Sequence, residues 1–304
     1  MISEKHKCPA CNHLKAKYVS DFDFTQEGNG YFPDTFNVLE CLNCKIWFKN
    51  SIPSKEVISE FYKSLPTEGS HWEYISRLPH EKRIDKILNK LPNDSEVLDV
   101  GCWTGRLLSI HQNVQRFGIE PNKVSGIIAE SKGIKIIGET VEDEILKNRM
   151  FDIITMVDVF EHLDNPLEVI DILVSHLKPG GKLIIITGAS DSMAVKLANI
   201  TYWYFCKIPD HIVFINKGFI NWLRDRYGNF NINSERVRHY NYKAINYLKE
   251  LTWLLIWRYL NPNSLFKKNN LLKIFSVKRF ENLKEIIMCN NQKDHLLTII
   301  DKKY

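Results

Sequence analysis

The sequence predicts an α/β protein: a doubly wound, mostly parallel seven-stranded sheet, with a small N-terminal zinc ribbon and a helical insert before the last strand. Three observations carry that expectation. Short apolar runs alternate with helical stretches from about residue 92 onward, a glycine-rich turn (Gly101 to Gly105) follows the first run, and two Cys-x-x-Cys pairs precede both. Such alternation argues for a parallel sheet covered by helices on both faces. With 304 residues, 44% apolar and 25% charged, the chain can bury a core without disulfides. No run of about 18 uncharged apolar residues occurs, which argues against a spanning helix. The first residues, Met-Ile-Ser-Glu-Lys-His-Lys, lack the apolar stretch of a secretory signal, so a cytoplasmic location is expected.

Residues 1–50 are expected to form the ribbon. Of seven cysteines, four are paired as Cys8/Cys11 and Cys41/Cys44. In a chain without an export signal, two such pairs read as four thiolates around one zinc ion. Disulfides or a redox pair are the competing readings, weakened by the missing signal and by the two matching pairs. Four ligands close the coordination sphere, so this metal should fold the module and not catalyse. Tyr31, Phe32, Phe36 and Val38, between the pairs, suit a hairpin packed over the metal.

Residues 51–91 read as a helical linker and substrate-side cover, with Ile84, Ile87, Leu88 and Leu91 at helical spacing. The main domain is expected over 92–241, completed by 292–304. Its strands are Val97–Val100, Phe117–Glu120, Ile134–Ile137, Phe151–Val157, Lys182–Thr187 and Phe230–Val237, with Asp294–Asp301 last. One helix has a clear start, with Asn165 as cap, Pro166 first inside and Glu168 three after the cap.

The net charge of +5 is unevenly spread. Between Lys243 and Met288 stand nine Lys/Arg against three Glu, which leaves 32 basic and 33 acidic residues elsewhere. The insert 242–291 also carries Trp253, Trp257, Tyr259, Phe266 and Phe275. It reads either as a helical lid with a core of aromatics and a solvated lysine face, or as a surface for the inner face of a membrane or a phosphorylated substrate.

The stretch Asp99-Val-Gly101-Cys102-Trp103-Thr-Gly105 ends the first strand and is expected to open the first helix. Glycine there lets the backbone approach a ligand at the sheet's carboxyl edge. Glu120, 21 residues beyond Asp99, ends the second strand, where a carboxylate can grip both ribose hydroxyls. Nicotinamide dinucleotide binding would want Gly-x-Gly-x-x-Gly, a spacing this turn lacks. Over residues 85–240 and the last strand, the chain resembles the class I S-adenosylmethionine-dependent methyltransferases, a Rossmann-like family. Their glycine motif is matched by Asp99, Gly101 and Gly105, and their ribose acid by Glu120 in Gly-Ile-Glu-Pro121. Their fourth-strand motif is matched by Phe151-Asp-Ile-Ile-Thr-Met-Val-Asp158-Val-Phe-Glu161-His162-Leu. The resemblance implies S-adenosylmethionine as cofactor, held by these residues and Cys102, with Thr140 and Val141 flanking the adenine and Asp158 at the methionine end. One position departs from the pattern: Trp103 stands where the family has a small residue, so the indole must turn outward or roof the pocket.

Methyl transfer needs alignment and, for a hydroxyl or activated carbon, a base. Glu161 and His162 follow the fourth strand, and His211 follows the fifth, so all three are candidate catalytic groups, the histidines as bases. The alternative is that Glu161 and His162 only cap the turn. A sharper reading puts Asp158, Glu161 and His162 on one face, at i, i+3 and i+4, around a divalent ion, as in the similar sets of quinone-precursor and small-RNA methyltransferases. The cysteine ribbon resembles that of nucleotide-sugar C-methyltransferases, which implies a nucleotide- or lipid-linked sugar acceptor in glycan or surface polysaccharide synthesis. Two other classes remain: a nucleic-acid methyltransferase, disfavoured by the neutral core and ribbon, and a non-catalytic binding protein.

Overall fold

The computed structural model describes residues 2–3, 6–23, 30–33, 35–66, 77–198, 204–238, 252 and 293–303. Apart from Thr252, the insert 242–291 lies outside them. No helix among the described residues is long and apolar enough to cross a membrane.

The larger sheet has seven strands: β5 (Glu96–Val100), β6 (Gln115–Ile119), β7 (Lys135–Gly138), β8 (Phe151–Val157), β9 (Leu177–Gly188), β11 (Phe230–Val237) and β12 (His295–Lys302). Their order across the sheet is β11-β12-β9-β8-β5-β6-β7. The five from β9 to β7 are parallel, and β12 is antiparallel to both its neighbours. The chain runs from β5 outward to β7, then crosses back to β8. That reversal opens a crevice between the carboxyl ends of β5 and β8, the place where such sheets bind ligands.

The strands read as unbroken apolar runs because both faces are covered. In β9, Leu183 and Ile185 join one core layer while Ile184 and Ile186 join the other. The first layer packs Leu167, Ile170 and Leu173 of α5 (Pro166–Ser175) and Phe219 and Leu223 of α8 (Lys217–Arg226). The second packs Ile84 and Leu88 of α2 (Glu81–Leu88) and Ala129 of α3 (Lys123–Ser131). Two local expectations are revised. Asn165 does not cap α5 through its side chain but bonds the Glu168 carboxylate. After the glycine turn, residues 103–110 form successive turns and not a regular helix, since Trp103 and Gly105 both take left-handed backbone, φ 48° and 74°.

The N-terminal module is a second sheet, ordered β1 (Ile2–Ser3), β2 (Ala16–Asp23), β3 (Thr35–Cys41), β4 (Trp47–Lys49) and β10 (Val213–Phe214). Its two Cys-x-x-Cys turns repeat one design. The amides of Asn12 and Lys45 donate to the carbonyls of Cys8 and Cys41, and both residues take left-handed backbone, φ 60° and 65°. The four sulfurs face one another, Cys8–Cys44 at 3.7 Å and Cys11–Cys41 at 3.5 Å. Those spacings are far beyond a disulfide bond. They lie close to the roughly 3.8 Å edge of a tetrahedron with 2.3 Å metal–sulfur bonds. The donor set therefore fits zinc.

The module is not closed by residues 1–50. Its fifth strand comes from beyond β9, with Val213 opposite Phe48 and Phe214 opposite Trp47. Asn216, which caps α8, also donates to the Lys45 carbonyl at 2.7 Å. The module's core residues Ile46 and Phe48 belong to the same cluster as Val213 and Phe219.

Candidate functional site

A cavity of about 1440 Å³ occupies the crevice. Its floor is the carboxyl ends of β5, β6 and β8. The cover is α1 (Lys55–Ser64), held by Asn122, whose side-chain amide donates to the Leu65 carbonyl at 2.9 Å.

The glycine turn makes the floor possible. Gly101 has φ 69°, and a Cβ there would stand 2.4 Å from Val159 Cγ2. Amides of Gly101 and Cys102 both donate to the Ile119 carbonyl, tying the turn to β6. Cys102 lines the cavity and has its sulfur beside Gly118. Glu120, buried at the cavity wall, accepts from the Trp103 amide at 2.7 Å and the Asn122 amide at 2.8 Å, one on each oxygen. Each oxygen keeps a further lone pair. Burial raises the Glu120 pKa, and the two amides work against that rise. Asp99 is buried and accepts from Thr155 Oγ1 at 2.7 Å; burial, with Glu120's charge, lifts it to about 7. Pro121, Thr140 and Val141 also line the cavity, with Thr140 Oγ1 bonded to Glu142. Trp103 lines it too, and its indole nitrogen is buried with no hydrogen-bond partner.

The second cluster stands at the ends of β8 and β9. A 3-10 turn, Phe160–His162, delivers Glu161 and His162. Glu161 is fully buried, accepts from Thr187 Oγ1 at 2.7 Å, and leaves Oε1 without a hydrogen bond, 4.0 Å from His211 Nε2. Burial pushes its pKa up to about 7. His162 Nδ1 faces the Asp210 carbonyl at 3.1 Å and Asp210 Oδ2 at 3.2 Å. A carbonyl only accepts, so Nδ1 carries the proton. Burial lowers the His162 pKa, but the charge and hydrogen bonding of Asp210 prevail and hold it at about 9. Burial likewise raises Asp210, yet His162 outweighs it and keeps the carboxyl well below its usual range. His211 donates Nδ1–H to the Phe205 carbonyl at 2.8 Å. Burial and the adjacent His162, rings 4.7 Å apart, keep its pKa well below the ordinary value.

Sequence reasoning named His162, Glu161 and His211, and the structure brings them together. It missed Asp210, the neighbour of His211 in sequence, and it missed Tyr62, whose hydroxyl donates to Asp210 Oδ2 at 3.0 Å. The sequence offers His295 only as a residue of the last strand. It lies in the cavity wall, 2.9 Å from Asp294 and 3.6 Å from Asp158, with the His80 ring parallel to it at 6.5 Å. The expected trio of Asp158, Glu161 and His162 is replaced. Asp158 has φ 52° and precedes the 3-10 turn, so the three residues do not share one helical face. Among the described residues of the crevice, the atoms grouped closely enough to hold a divalent ion belong to Glu161, His162 and His211, all within 4.8 Å of one another.

A family model described as a methyltransferase domain matches residues 71–234. Among curated relatives, the ubiquinone biosynthesis O-methyltransferase of Rickettsia conorii is 32% identical over 124 residues, 37% of this chain and 42% of that protein. The enzyme of the same name from Serratia proteamaculans is 30% identical over 158 residues, 46% and 66%. The chain thus spans about half the length of the curated relatives it matches. Of solved structures, a possible histamine N-methyltransferase from Thermotoga maritima is 16% identical with a TM-score of 0.47, covering 81% of this chain and all of that one. The plantazolicin methyltransferase BpumL, solved with SAH, is 14% identical with a TM-score of 0.45, covering 82% and 91%. With more than half of its residues matched, a glycine turn at the switch point and an acidic residue closing the second strand, the chain belongs to the methyltransferase-domain family.

Proposed function

We propose that this protein transfers a methyl group from S-adenosylmethionine to a hydroxyl of a small acceptor, of the nucleotide- or lipid-linked sugar kind. The observation that carries it is the pairing of His162 with Asp210 in a cavity wide enough for two ligands. Single-ligand pockets measure about 300–1,000 Å³, and this one exceeds that range. S-adenosylmethionine, when bound, supplies an electrophilic methyl carbon. Glu120, with a lone pair left on each oxygen, would hold the ribose hydroxyls. Gly101 gives the room for backbone approach, and Thr140 and Val141 would flank the adenine. His162, oriented by Asp210 through Nδ1, would take the acceptor's proton at Nε2 in its neutral form. The cysteine module supports the sugar class of acceptor, and we assign it one structural zinc.

A second reading rests on the convergence of Glu161, His162 and His211, whose donor atoms could instead hold a divalent ion that acidifies a phenolic hydroxyl. The relatives named for ubiquinone biosynthesis favour it. Loss of turnover on chelation, regained with magnesium, would select it over the base reading.

Three outcomes are expected. In calorimetric titration, Glu120→Ala should weaken S-adenosylmethionine binding by about 1.5–3 kcal/mol, as for a hydrogen bond to a charged group; undiminished affinity would refute the assignment. His162→Ala should lower turnover about 10²–10⁴-fold with cofactor affinity kept. A base with pKa about 9 is protonated at neutral pH, so the wild-type rate should climb with pH and level near that value. Asp210→Asn removes the charge that raises the pKa, so it should move the climb to lower pH. A flat profile would remove His162 as base. Elemental analysis should find one zinc per chain, and Cys44→Ser should lose it; metal-free wild type would sink the zinc assignment.

A further inference from the structure

Lys49 is the last residue of β4, and its side chain is 2% exposed. Its ammonium donates to the carbonyls of Ile208 at 2.7 Å and Pro209 at 3.1 Å, and sits 4.1 Å above the Phe36 ring. The Lys49 amide donates to the Ile212 carbonyl at 2.9 Å. The N-terminal module thereby grips both ends of the segment 208–212, which carries Asp210 and His211. On its other side, the Ile212 amide donates to the Glu161 carbonyl at 2.7 Å, and the His211 amide closes a turn onto Ile208 at 3.2 Å.

A buried cation is an expensive way to fill space. An apolar side chain of the same volume packs as well without desolvating a charge. What the ammonium adds is direction: two carbonyls in succession must point at it, which fixes the peptide planes leading into Asp210. Burial draws its pKa down to about 8, against the opposing pull of Cys206 and Asp210.

We infer that Lys49 is a positioning residue: from the N-terminal module it sets the 208–212 turn so that Asp210 meets His162 and His211 meets Glu161. The inference rests on the reading of His162 as the proton acceptor, but its contacts can be tested without an acceptor. It also assigns the module a task beyond its own folding, as the outer jaw of the acceptor side.

The test compares full-length wild type with Lys49→Met, Lys49→Gln and Lys49→Arg. The readouts are amide hydrogen exchange, NMR of the histidine rings, zinc content and S-adenosylmethionine titration. Lys49→Met should raise exchange at the His211 and Ile212 amides by about tenfold or more, the scale of one lost hydrogen bond to a charged group. It should also shift the ring signals of His162 and His211, while amides of β5, zinc content and cofactor affinity stay as in wild type. Lys49→Arg, which keeps charge and donors, should restore the ring signals, and Lys49→Gln, an uncharged donor, should fall between. Should Lys49→Met fail to fold, the order of Gln against Arg carries the test. Unchanged exchange and ring signals in the substituted proteins overturn the inference, as does exchange that rises equally in β5, which marks a merely stabilising lysine. If wild type fails to bind S-adenosylmethionine, the proposed function falls instead, and the exchange result still stands or fails by itself.

Discussion

The hydrogen bond from the Ile212 amide to the Glu161 carbonyl joins the two segments on which the proposed acceptor side depends. One is the turn after β8, which the parallel sheet delivers to the crevice. The other is the stretch before α8, which no strand of that sheet positions. Joined there, His162 reaches Asp210 and Glu161 lies beside His211. The contacts of His162 with Asp210 run beside this junction and tie the same two segments.

Those groups are costly to bury, and the local contacts show how the cost is met. Asp99 and Glu161 each receive one threonine hydroxyl, from Thr155 and Thr187, side chains of the neighbouring strands β8 and β9. Burial raises the pKa of both, against the opposing charges of Arg77 at Asp99 and His162 at Glu161. Asp210 and His162 have each other, so both stay charged near neutrality. Neighbouring groups driven apart in this way are what the proposed proton transfer would require. The left-handed backbone of Trp103 and Asp158, unusual for residues with side chains, falls on the same cavity wall.

Much of this was legible in the sequence, wherever the signal was local. The seven strands follow from apolar runs and turn residues, the glycine turn from Asp99 to Gly105, the sulfur cluster from two matched spacings. What stayed hidden was long-range. Nothing in residues 47–49 announces a partner at 213–214, and a three-residue strand carries no periodicity. No local signal separates Tyr62 from its helical neighbours or His295 from the other residues of its strand. The i, i+3, i+4 spacing of Asp158, Glu161 and His162 misled because it presumes a helix, and the backbone breaks its geometry at Asp158. Trp103 was visible as a departure from its family, but only the fold shows that its indole lines the cavity.

The pairing of β4 with β10 also has a bearing on synthesis. Val213 leaves the ribosome about 165 residues after Phe48, a delay of roughly 10–30 s at common elongation rates. During that interval β1 to β4 can assemble around their cysteines, yet the outer edge of β4 has no strand beside it. An open edge bearing Trp47 and Phe48 is a template for pairing with another nascent chain. A ribosome that has passed β4 therefore carries a half-finished sheet, whose completion waits for Val213 and Phe214 to emerge.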